Sequence, residues 1–123
     1  MNYGYVNYFI SNIEEDLDTE VAEVKKKAEK VIVDHLSYRP NFKELMETLK
    51  EGDTLYAYSV SRFASGLTDL VDTLKILNDR KISFVSITDH LTVDQSEAGQ
   101  AALNALIVGQ KAIKADPNHG FYA

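Results

Sequence analysis

Glu51 to Phe63 reads EGDTLYAYSVSRF, a helix stop followed by a strand. Gly52 stops the amphipathic helix that Leu45, Met46 and Leu49 mark just upstream. From Asp53 to Tyr58 apolar side chains fall on both parities, the pattern of a strand covered on both faces. Such a strand belongs in a parallel sheet with helices on either side. Outward from it the alternation repeats. Pro40 opens the upstream helix, which also carries Phe42. Val31 to Val33 reads as a short strand, and Tyr3 to Tyr8 as another two-sided one. Between them Val21, Val24, Ala28 and Val31 recur at helical spacing, predicting a helix from about Thr19 to Lys30. Glu20 and Glu23 lie early in it and Lys25, Lys26, Lys27 and Lys30 late, as the helix dipole favours. That charge run reads as a solvated face. Downstream, Leu67, Leu70, Val71, Leu74 and Leu77 mark the next helix, and Ile82 to Ile87 a fourth strand. The expectation is an α/β, single three-layer domain: a mainly parallel sheet of about four strands with crossover helices.

The 123 residues suffice for one such domain, and 45% hydrophobic with 26% charged residues is ordinary for a globular chain. Without cysteine there are no disulfides, thiolate metal sites or cysteine nucleophiles. No apolar run approaches the roughly 18 residues of a membrane span, and no basic-then-apolar leader opens the chain. A cytoplasmic protein with no membrane partner is expected. A net charge of −6 opposes strong non-specific DNA binding by this domain alone. His35, His90 and His119 lack ligand spacing, so no metal is expected. "EAGQ" (97–100) is no dinucleotide fingerprint, and no Walker sequence occurs, so no phosphate-binding loop supports a nucleotide cofactor. Tyr3, Tyr5, Tyr8, Tyr56 and Tyr58 gather near the first and third strands, where core packing is the commoner fate than base stacking.

The last helix, about Ser96 to Lys114, carries two stripes. Ala98, Ala102, Ala105, Gly109 and Ala112 are small and recur at alternating spacings of four and three. Leu103, Leu106, Ile107 and Ile113 form an apolar stripe beside them. The pair covers more than one surface face needs. Two readings stay open: a helix wedged into its own domain, or a helix built for self-association. Beyond it, Asp116-Pro117 and Gly120 break the helix. Residues 1–115 are therefore expected to form the domain and 116–123 a tail, with no helix-turn-helix or other DNA-reading module.

In order and spacing, "YGYV", "SYRPNFKELMETLKEGDTLYAYSVSRF", "LTDLVDTLKILNDRKISFVSITD" and "EAGQAALNAL" resemble the catalytic domain of serine recombinases, the resolvases and invertases of transposons and phages. The resemblance runs from Tyr3 to about Lys114. It implies a resolvase-like fold whose long C-terminal helix serves oligomerisation into dimers and tetramers. It also implies chemistry in which a serine attacks the DNA backbone to form a 5′-phosphoserine link, with no nucleotide or metal. Arginines surround that site because phosphoryl transfer spreads negative charge over phosphate oxygens.

Position by position, the resemblance places the family's nucleophilic serine at Phe9 and its N-terminal arginine at Asn7. The aspartate of the Asp-Arg pair falls at Ser61, while its arginine survives as Arg62. The next arginine becomes Ser65. The arginine of the Arg-Pro pair survives as Arg39. Gly99-Gln100 fits the start of the family's long helix, and a later arginine is matched by Lys114, which keeps charge but not the bidentate fork. The expectation is a degenerate site, in a protein that associates with itself or with a related recombinase. An alternative keeps strand exchange with Ser11 as nucleophile. Ser11 shares a strand face with Phe9 but lies about 6.6 Å along it, too far for near-attack contact of about 3–3.5 Å. "SNIEED" instead reads Ser11 as a loop or cap hydroxyl. A third reading, a small-molecule binder at the carboxyl ends of the strands, has only the general habit of parallel sheets behind it.

Overall fold

The computed structural model describes residues 1–7, 14–36 and 38–115, with 14–17, 114 and 115 described in backbone only. In chain order the elements are β1 (Asn2–Asn7), α1 (Glu14–Lys25), β2 (Lys30–Asp34), α2 (Pro40–Thr48), β3 (Thr54–Ala57), α3 (Val60–Phe63), α4 (Leu67–Asp79), β4 (Ser83–Ser86), β5 (Leu91–Val93) and α5 (Glu97–Ala115). The strands form one sheet in the order β2-β1-β3-β4-β5. β1 pairs in parallel with β2 and β3, and β3 with β4. The sheet has five strands rather than about four, because β5 returns antiparallel to β4. β5 and α3 are three and four residues long. Neither is long enough to show a period.

The faces of β1 explain the layering. Tyr3 and Tyr5 enter the main core with Phe42 and Leu45 of α2, Leu55 of β3, Phe63, Leu74 of α4, Phe84 of β4 and Leu103 of α5. A run of rings crosses this core: Tyr5 to Phe42 at 4.9 Å, Phe42 to Phe63 at 5.6 Å, Phe63 to Phe84 at 4.8 Å. Each buried ring contributes about 1.5–3 kcal/mol by leaving water. Gly4 points to the other face, where α1 packs. A Cβ there would collide with Val24 Cγ1 and press on Ala28 and Val31. This corrects the extent of α1. Val24, Ala28 and Val31 share a surface, but the helix ends at Lys25, Ala28 lies in the turn and Val31 in β2. Their spacing records convergence over Gly4, not one helix face. The two faces of β3 are also unequal: Leu55 and Ala57 are buried, Thr54 and Tyr56 only half-buried.

Polar ties fix the ends of the helices. Arg80, after α4, donates from its guanidinium to the carbonyls of Met46 and Leu49, both at 2.6 Å, satisfying the last turn of α2. At the start of α5 the Gly99 amide donates to Ser96 Oγ at 3.0 Å. Gln100 Nε2 donates to Asn78 Oδ1 at 2.7 Å and to the Asp94 carbonyl at 2.6 Å. A Cβ at Gly99 would overlap Asp94, side chain and backbone alike. Gly99-Gln100 thus docks α5 on the end of α4.

Along α5, Leu103 is buried, and Ala102, Leu106 and Ile107 pack against the core. Ala98, Ala105 and Ala112 are exposed, Gly109 and Ile113 half-buried. A Cβ at Gly109 would meet nothing. The domain therefore uses the apolar stripe and leaves most of the small-residue stripe outward. No helix among the described residues is long and apolar enough to cross a membrane.

Candidate functional site

The carboxyl ends of β1, β2 and β3 gather the polar groups singled out in the sequence. Asn7 closes β1 opposite Asp34 of β2, and both are buried. Asp34 is where the assembly starts. Its carboxylate accepts from the amides of Asn41 and Phe42, each at 2.9 Å, at the N-terminus of α2. It also accepts from Tyr5 Oη at 2.7 Å. Because Asp34 caps α2 from the neighbouring strand, Arg39 at the cap position is freed from that work. Arg39 adopts the left-handed backbone, φ 52°. A non-glycine residue takes that conformation at some cost.

This turn directs the Arg39 guanidinium inward. Its centre lies 4.0 Å from the Phe42 ring centroid, 4.9 Å from Tyr5 and 5.3 Å from Phe63, in cation–π range of all three. Nε donates to Tyr5 Oη at 3.2 Å. Nη1 stands 3.9 Å from Asp69 Oδ2 of α4. Nη2 is buried with no hydrogen-bond partner among the described residues. Burial raises the Tyr5 pKa well above the ordinary phenol range. The Arg39 hydrogen bond pulls against that, and Asp34 adds to it. Tyr5 therefore remains a neutral phenol that relays one hydrogen bond from Arg39 to Asp34.

Ser65 joins the same group through Asp69, whose Oδ2 accepts from the Ser65 amide at 3.0 Å and from Ser65 Oγ at 3.3 Å. Ser59 caps α3 by accepting from the Arg62 amide at 3.2 Å, and its Oγ lies 3.0 Å from that of exposed Ser61. Asp89 Oδ2 accepts from Ser86 Oγ at 2.6 Å and from the Val60 amide at 2.8 Å, holding α3 against the end of β4. Arg62 faces another carboxylate, Glu20 of α1, across 3.9 Å. The two retained arginines thus engage different acids. Phe9 and Ser11 lie outside the described residues. Lys114 lies on α5, with its side chain outside them.

Sequence reading missed Asp34, Asp69 and Glu20. Glu20 reverses an expectation: the early charges of α1 read as a solvated face, yet Glu20 is 3% exposed. A carboxylate in a mixed charge run has the same pattern whether water or an arginine faces it. Asp34 had one available signal, its place at a strand end before a Pro-opened helix. Tyr3 and Tyr5 are core residues, and Tyr8 and His119 fall outside the described residues. His35 and His90 are exposed. Among the described residues, no group of three or more His, Cys, Asp or Glu is placed to hold a metal.

Comparison with known proteins agrees with this architecture. Residues 9–114 match the family described as "Resolvase, N terminal domain". The Transposon Tn552 resolvase of Staphylococcus aureus is 32% identical over 73 residues, covering 56% of this chain and 37% of that protein. Serine recombinase gin of Escherichia phage Mu is 30% identical over 95 residues, covering 74% of this chain and 49% of its own. The chain thus spans between about a third and a half of the length of these relatives. A resolvase family site-specific recombinase from Streptococcus pneumoniae shares the fold with a TM-score of 0.69. Its identity is 18%, over 97% of this chain and 93% of that one. With the family match running from before α1 to near the end of α5, this chain belongs to the serine recombinases, as a resolvase N-terminal catalytic-type domain.

Proposed function

We propose that the protein is a catalytically degenerate serine recombinase-like domain that works through protein contacts. It pairs with itself through α5, or binds and modulates an active site-specific recombinase. The observation that carries this reading is Phe9: the side chain at the position matched to the attacking serine has no oxygen. The losses around it point the same way. Asn7 is uncharged and buried at the end of β1. Ser61 and Ser65 supply hydroxyls where the resemblance expects an acid and an arginine. A phosphoryl-transfer site stripped of these charges has little to stabilise its transition state. In this reading residues 1–115 form the domain. The protein acts in the cytoplasm without cofactor and binds DNA weakly by itself.

The test is a search for a covalent protein–DNA adduct on a supercoiled plasmid library of source-genome fragments. No adduct is the expected result. An adduct that disappears in Ser11→Ala would overturn the reading in favour of a rearranged active recombinase.

A further inference from the structure

Glu20 and Arg62 line a cleft of about 180 Å³ with Thr19 and Tyr58. Glu20 does not drift into this position. Val24, four residues on and so on the same helix face, is fully buried and packs where Gly4 leaves β1 bare. That contact sets the register of α1 and with it the direction of Glu20. Burying a carboxylate is costly unless a cation shares the site. Here the cation is Arg62, with Nε 3.9 Å from Oε1. The carboxylate is almost enclosed, whereas a third of the arginine side chain stays open, at 4% and 33% exposure respectively.

We propose that Glu20 is a built-in anion occupying the phosphate-facing side of Arg62, which makes it the residue that excludes phosphodiesters from this cleft. A phosphate entering beside Arg62 would meet a fixed negative charge a few ångströms away. Partial burial keeps that repulsion from being fully screened. Retention of Arg62 then reflects a structural ion pair and not a working phosphate contact. The inference rests on the functional reading only in treating Arg62 as the counterpart of a phosphate-binding arginine.

The experiment titrates inorganic phosphate, at constant ionic strength, into 15N-labelled protein and follows the backbone amide signals of Thr19, Tyr58 and position 62, which line the cleft. Glu20→Gln keeps the shape and removes the charge. It is expected to bind phosphate at least roughly tenfold tighter than the wild type, and the gain should vanish in Glu20→Gln/Arg62→Gln. A Glu20→Gln protein that gains nothing, or a gain that survives loss of Arg62, overturns the proposal. Should Glu20→Gln alone not fold, the pair is read through stability. Arg62→Gln takes this cation away from a buried carboxylate, so the double variant should be more stable than Arg62→Gln alone; a double variant no more stable also overturns it. A DNA adduct formed by the wild type would instead remove the functional reading, so the two failures are distinguishable.

Discussion

Asp34 holds two strands and a helix together with one carboxylate. Its three hydrogen bonds, from Tyr5 Oη and the Asn41 and Phe42 amides, are made by a side chain whose residue is 1% exposed. Asp34→Ala would strand all three donors. The expected cost is about 3 kcal/mol in urea unfolding, since a cap alone is worth about 1 and charged hydrogen bonds more. Arg39→Lys tests a different point. It keeps the charge but loses the flat guanidinium over Phe42, Tyr5 and Phe63. A loss of roughly 1–2 kcal/mol is expected, against near neutrality if charge alone mattered. Asp53 gives a pH signature. Burial pushes its pKa up, but the Lys50 amide and the Met1 amino group outweigh that and hold it below the ordinary carboxylate range. A depressed folded pKa contributes stability that is present above about pH 3.9, the unfolded value. That stability is lost as pH falls through the folded value. Asp53→Asn should therefore lower the unfolding midpoint at pH 6, and the gap to wild type should close on acidification toward pH 2. An unchanged gap would refute the assignment. Arg39 and Arg62 were legible in sequence because they sit in motifs of fixed spacing. Glu20 was not, because nothing in a mixed charge run distinguishes a buried acid from a solvated one, and Asp34 had only its place at a strand end before Pro40 to mark it.

The helices and strands that could be read were those long enough to show a period. α2, α4 and α5 begin within about a residue of where capping residues and apolar spacing put them, within the usual scatter of helix ends. α1 was misplaced because residues from a helix, a turn and a strand meet over one glycine and imitate a single stripe. The antiparallel β5 went unread because a three-residue strand after a turn carries no alternation. Two glycines of α5 now separate packing from propensity. Gly99→Ala would drive a methyl into Asp94 and loosen the Gln100–Asn78 tie. We expect a loss of about 2 kcal/mol, within the range for overpacking a tight site. Gly109→Ala meets open space and should stabilise the monomer by up to about 1 kcal/mol, the helix-propensity gain. Thermal melts of both variants decide it. If Gly109→Ala destabilises the isolated domain, its outward placement is wrong.

At the scale of the whole molecule, the question is what covers the outer face of α5. The domain buries Leu103 and rests Leu106 and Ile107 on the core, yet leaves Ala98, Ala105, Ala112 and Val108 exposed, Val108 at 66%. Small residues let a second helix approach closely, and an exposed valine among them gives that approach an apolar centre. Net charge works against the other partner the family would imply. At −6 the chain carries more acidic than basic side chains and has no excess of cations to release counterions from DNA, so affinity near physiological salt should be weak. Protein contact through α5 is the form of the proposed function that this exposed face supports. Sedimentation equilibrium over a wide concentration range is the direct measure. Mass should rise with concentration in the wild type. Val108→Glu should weaken association at least about tenfold by setting like charges across the helix pair. Because Val108 is two-thirds exposed and lies outside the buried core, the variant's melting temperature should stay near wild type. Gly109→Ala should also weaken association by filling the approach, even as it stabilises the monomer. A strict monomer at every concentration would remove self-association and leave modulation of another recombinase as the remaining form of the proposal.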